Sequence, residues 1–199
     1  MLSLVTAQRV NGRRRPVNAG LVVFFLAASA QTCNAATEAG AASGAAFDWS
    51  APAILLAGVL VLAFFFAKLE IQIEGSDGWA SRLPTWRVEN HPLLDWFWGG
   101  RPMTGYHAWA FTFVALAFHT PYLFGCAPSW RIEARILGSL MIFWIVEDAL
   151  WFALNPAFGL RRLTRKVVWW HKRWIGPVPA DYVTFTLAGC AMLTYSFWK

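Results

Sequence analysis

Glu147 and Asp148 stand side by side in an apolar run from about Ile136 to Leu154, seven to eight residues before Asn155-Pro156. At a rise of about 1.5 Å per residue, they lie on the order of 10 Å inside the end of such a helix. A charged residue at the centre of a membrane helix costs about 2.5–3.5 kcal/mol, so two adjacent acids must face protein or water, or be neutralised, rather than meet lipid. Trp144, Asp148, Trp151 and Asn155 recur at helical spacing and share one face, whereas Glu147 points about 100° away toward a different neighbour.

Few residues can answer that acidic pair. His107 opens one apolar run, Asp181 and Tyr182 open another, and His171 follows Arg161 and Arg162 in a basic stretch. With Asn155 they fall near one boundary of a helical bundle, which permits a single polar cluster. Three chemistries suit it. The acids can pair with Arg or His and pin helices together. One carboxyl in a low-dielectric pocket can act as acid or base toward a lipid, with His107 or His171 as the complementary proton carrier. In that reading Glu147, Asp148, His107 and His171 are the catalytic candidates, and Asn155, Arg161, Arg162, Trp169, Trp170 and Asp181 bind substrate or headgroup. The acids and one or two His can also hold a divalent ion, although the two acids diverge and no H-x-x-x-H or E-x-x-H spacing is present. The cofactor and metal content stay unknown at this level.

Other histidines read more simply. His91 precedes Pro92 in a loop, and His119, among Phe and Thr, suits an interhelical hydrogen bond. His119 lies about 18 Å further along its helix than His107, too far to join the cluster. The nucleophile elbow, the P-loop and the dinucleotide fingerprint are absent, as are the repeated halves of transporters.

The elements that must position these residues follow from composition. Of 199 residues, 57% are hydrophobic and only 14% charged, with 13 Trp and 16 Phe, and the mean hydropathy is +0.43. So many large aromatics overfill a small water-soluble core but suit lipid-facing surfaces and interfacial belts. Disorder is excluded by this apolar content, and three cysteines are too few for a disulfide scaffold.

Arg9, Arg13, Arg14 and Arg15 precede an apolar stretch from Ala19 to Ala30 and small residues through Ala36, the layout of a secretory signal peptide. Residues 1–35 are therefore expected to be a signal peptide or an uncleaved anchor, and residues 36–48 an Ala/Gly-rich linker. Four spans follow, over about 49–67, 106–124, 136–154 and 182–198, with Ser50 as the first N-cap and Pro52 in the first turn. The fold class expected is an all-α membrane protein, a bundle of four transmembrane helices after an N-terminal signal peptide. Leu69, Ile71 and Ile73 alternate with Glu70, Gln72 and Glu74, which predicts a short β-like segment in the first cytoplasmic loop.

Charge orients this bundle. Loops 68–105 and 155–181 hold ten Lys and Arg between them, against Arg131, Arg135 and Lys199 on the opposite face. The positive-inside rule puts both loops in the cytoplasm of an inner-membrane protein with its mature N-terminus outside. The net charge of +6 shrinks to +2 once residues 1–35 are set aside, leaving 13 basic and 11 acidic residues. Together with Trp169, Trp170 and their Lys and Arg neighbours, this indicates membrane lipids as partners and no nucleic acid. Two functions compete at this level: a lipid-modifying or lipid-binding membrane enzyme, and a non-enzymatic subunit or scaffold with membrane-protein partners.

Overall fold

The computed structural model describes residues 49–97 and 100–198. The expected signal peptide and linker, with Trp98 and Lys199, lie outside the described residues. Helix α1 spans Ser50–Glu74, α2 Pro92–Phe97, α3 Gly105–Phe118, α4 Thr120–Leu123, α5 Trp130–Leu154 and α6 Ala180–Phe197. Two short antiparallel pairs brace the connections. Strand β1 (Arg87–Val88) meets β2 (Met103–Thr104), and β3 (Trp174–Ile175) meets β4 (Val178–Pro179). A single 3-10 turn covers Leu160–Arg162.

The described chain is mostly helical, and α1 and α5 are long and apolar enough to cross a membrane. Ile54, Leu60, Phe65 and Leu69 of α1 are each more than half exposed, although a water-soluble protein hides such side chains. Its other face is narrow and small. Val59, Ala63, Ala67, Glu70, Ile71 and Glu74 are buried at the three-to-four-residue spacing of one helical stripe. Ser50 is the first helical residue and Trp49 occupies the N-cap place expected for it, with Pro52 in the first turn.

The expected β-like segment at residues 69–74 is instead the last turn and a half of α1. Period-two alternation over six residues also satisfies a helix when the residues at spacing four agree. Here Glu70 and Glu74 both enter the interior beside Ala67 and Ile71, and nothing breaks the helix before Gly75. The two-residue strands of this connection lie further along, at 87–88 and 103–104.

Helix α5 is central, with α1 on one flank and α6 on the other. Against α6 the backbones approach closely: a Cβ on Gly138 would stand 2.9 Å from the Gly189 carbonyl oxygen, and one on Gly189 would stand 3.1 Å from that of Gly138. Small residues at a helix crossing allow this contact. Against α1, Val59 and Ala63 pack beside Phe143, while Ala67 and Ile71 pack beside Trp151 and Phe152, so α1 and α5 run in the same direction. Helix α3 leans on α5 through rings, with Phe111 on Trp144 at 4.5 Å and Phe118 on Phe143 at 5.3 Å between centroids.

Candidate functional site

The ends of α1 and α5 and the starts of α3 and α6 converge, and they bring together polar groups from each. Asp148 faces α6 and the connection before it. Its Oδ2 accepts from the Tyr182 hydroxyl at 2.7 Å and lies 3.3 Å from His171 Nε2 and 3.6 Å from Arg101 Nη2. The same guanidinium donates to Asp181 Oδ2, and His171 Nδ1 stands 3.4 Å from Asp181 Oδ1. One arginine and one histidine therefore sit between two carboxylates. The His171 ring is fixed further by Tyr182, edge-on at 5.6 Å, and its backbone carbonyl accepts from Trp174 Nε1 at 2.6 Å. At Asp181, just before the apolar stretch of α6, burial alone would raise the carboxyl. The His171 hydrogen bond and the Arg101 charge outweigh it and hold the group below the usual carboxylate range.

Glu147 faces the other way, toward α1. Its side chain borders the same space as that of Glu70, which accepts from the Tyr106 hydroxyl at 2.9 Å. One turn on, Glu74 Oε1 accepts from the Ala80 backbone N–H at 2.6 Å and lies 3.3 Å from His107 Nε2. His107 Nδ1 is 2.7 Å from Thr104 Oγ1, whose oxygen also caps α3 by accepting from the His107 backbone N–H. Trp79 stacks on the His107 ring at 4.0 Å and donates its indole N–H to Pro102 O. Trp79 and Ala80 hold φ of +48° and +49°, a left-handed conformation that bulky residues rarely adopt. Glu74 and Arg87, which grip the Ala80 N–H and carbonyl, maintain it.

Between the two groups lies a cavity of about 50 Å³, bordered by Glu70, Glu74, Glu147, Asp148, Arg101 and His107 and closed by Trp79, Trp144, Trp151 and Trp170. Three atoms of its lining residues, Glu147 Oε1, Trp151 Nε1 and Trp170 Nε1, are buried and make no hydrogen bond among the described residues. Gly78 (φ +67°) lets the chain pass against the two indoles: a Cβ there would stand 2.8 Å from Trp170 Cη2 and 3.0 Å from Trp151 Cη2.

Of the residues expected from sequence, Glu147, Asp148, His107, Trp170 and Asp181 line the cavity, and His171 is buried against its Asp148 and Asp181 wall. Asn155 is buried nearby and does other work. Its side-chain N–H donates to Gly75 O at 2.9 Å and ties the ends of α5 and α1 together. Arg161, Arg162 and Trp169 are exposed outside the cavity, with Arg162 over the Phe158 ring. His119 lies at the far end of α3 and bonds Glu133, which Tyr122 also serves. Sequence reasoning missed Glu70, Glu74, Tyr106 and Arg101. The i, i+4 spacing of Glu70 and Glu74 beside Ala67 was a usable signal, had the segment been read as helix. Arg101 carried no signal beyond its charge.

No protein-family model, curated protein or solved structure matches the chain, so the residues themselves carry the functional reading.

Proposed function

We propose that this chain is an inner-membrane protein of four spans whose cavity is an acid–base site acting on the polar part of a lipid. The single observation that carries the reading is the cavity. It gathers the carboxyls of Glu70, Glu74, Glu147 and Asp148 with the His107 imidazole and the Arg101 guanidinium inside a wall of indole rings. Titratable groups that converge on one enclosed space in an otherwise apolar interior support a binding or catalytic site there. Glu147, which lines the cavity with Glu70, is the proposed acid or base. His107, oriented by Thr104 and Glu74, is the proposed second proton carrier. Asp148, Asp181, Arg101 and His171 hold the wall in place.

The ten-against-three distribution of Lys and Arg supports an orientation with both basic connections, and hence the cavity end, in the cytoplasm. A topology reporter fused at residue 90 or 165 is expected to read cytoplasmic, and a periplasmic signal overturns the orientation. For the activity, Glu147→Gln is expected to accumulate in the membrane like the parent while altering the cell's lipid profile. An unchanged profile for both Glu147→Gln and Asp148→Asn, with normal accumulation, removes the enzyme reading and favours a scaffold with membrane-protein partners.

A further inference from the structure

Thr104, His107 and Glu74 form a chain of contacts. Thr104 Oγ1 lies 2.7 Å from His107 Nδ1, and the other ring nitrogen, Nε2, lies 3.3 Å from Glu74 Oε1. A hydroxyl, an imidazole and a carboxyl in that order are the parts of a nucleophilic triad, and the same order also serves to orient a histidine. Burial decides between these roles. Thr104 is completely buried, and it is not among the residues that line the cavity. Its oxygen is also engaged by the His107 backbone N–H at 3.2 Å, as the cap of α3. A nucleophile must reach its substrate, so the hydroxyl is left with the orienting role.

Counting protons gives that role its content. A threonine hydroxyl has one proton to donate, and a buried one needs an acceptor. The His107 backbone N–H brings its own proton, so among the described residues the acceptor that faces the hydroxyl is Nδ1. A nitrogen that accepts carries no hydrogen, and in the neutral ring the proton then sits on Nε2. The Nε2 edge faces a carboxyl oxygen, which suits an N–H there. The other tautomer would leave the hydroxyl proton without an acceptor and set a ring lone pair against Glu74. Trp79, stacked on the ring at 4.0 Å, and Phe111, with its ring centre 5.4 Å away, hold the imidazole in place. We propose that Thr104 is a positioning residue that fixes His107 in the Nε2–H tautomer, with its lone pair at Nδ1 and its donor edge toward Glu74. In the acid–base site proposed above, Glu74 then meets the charge formed when His107 takes up a proton. That consequence rests on the earlier reading, whereas the tautomer does not.

The test uses the full chain in nanodiscs with isotope-labelled histidine ring nitrogens and reads their protonation by magnetic resonance. The His107 signals are identified among the four histidines by their loss in His107→Asn. At neutral pH Nδ1 is expected to be bare and Nε2 protonated. A proton on Nδ1 in the parent overturns the inference before any variant of Thr104 is made. Thr104→Val removes the hydroxyl and is expected to shift the tautomer ratio about tenfold toward Nδ1–H, the effect of one lost hydrogen bond, while Thr104→Ser keeps the parent ratio. An unchanged ratio in Thr104→Val overturns the inference, as does labelling of Thr104 by a fluorophosphonate, which would make it the nucleophile. The cell's lipid profile separates this inference from the enzyme reading. A shifted ratio with an altered profile supports both. A shifted ratio with the parent's profile keeps Thr104 in its role and removes His107 from the proposed chemistry.

Discussion

Glu147 and Asp148 are covalent neighbours with the same charge chemistry, yet α5 turns them into opposite environments. Asp148 meets Tyr182, His171 and Arg101, and the last two continue to Asp181. That circuit draws on α5, α6 and the two connections, and its polar atoms have partners. Glu147 meets another carboxyl, and one of its oxygens meets nothing. A closed ionic circuit fixes geometry, whereas the Glu147 side leaves one buried oxygen without a hydrogen bond among the described residues. The same low dielectric makes the first strong and the second costly to leave empty.

The comparison can be broken at its strongest point first. Arg101→Gln strands Asp148 and Asp181 without their shared cation and is expected to lower unfolding stability by about 3–5 kcal/mol, measured by denaturant titration in detergent. Asp148→Asn keeps the shape and the Tyr182 hydrogen bond but removes the charge that faces Arg101 and His171, and should cost about 2 kcal/mol in the same assay. Glu147→Gln should lie within about 1 kcal/mol of the parent, because a neutral amide still reaches Glu70. If Glu147→Gln proves as destabilising as Asp148→Asn, the distinction between the two acids collapses.

The smallest effect concerns pH. The Asp181 carboxyl is held below its ordinary value, so its contribution to stability is fully present above the unfolded value near 3.9 and fades as pH falls through the lower folded value. Asp181→Asn is therefore expected to flatten the acid limb of the stability profile below about pH 4 and to leave the neutral region's slope alone. A parent and variant with parallel acid limbs would show that Asp181 is not held by Arg101 and His171.

Much of the interior was legible from spacing. The apolar runs overlap α1, α3, α5 and α6 but miss one end of the first three by six or seven residues, about two turns, and the 100° divergence of Glu147 from Asp148 was readable because the helix pitch is invariant. His107 and Asp181 stand at the edges of apolar runs and His171 in the basic stretch before the last of them, which was enough to expect all three at one end of the bundle. Residues 69–74 misled because a six-residue alternation is compatible with both periods, and only tertiary burial of Glu70 and Glu74 decides between them. Arg101 was illegible for another reason. It reaches Asp148 and Asp181 across 47 and 80 residues of chain, through a connection whose path depends on the two-residue ladder of β1 and β2, and no local pattern encodes that. Trp169 and Trp170 looked equivalent in sequence. One is half exposed and the other is 2% exposed, because adjacent residues of this connection face opposite ways.

Gly78 gives the cavity a property that its own lining does not. The two indoles Trp151 and Trp170, which line the space, rest their far edges where a side chain at position 78 would begin. A missing methyl group thus serves as a gauge block: the distance from backbone to ring tip sets how far each indole reaches into the interior. Adding that methyl would displace both rings at once, reshaping the cavity without changing any residue that lines it.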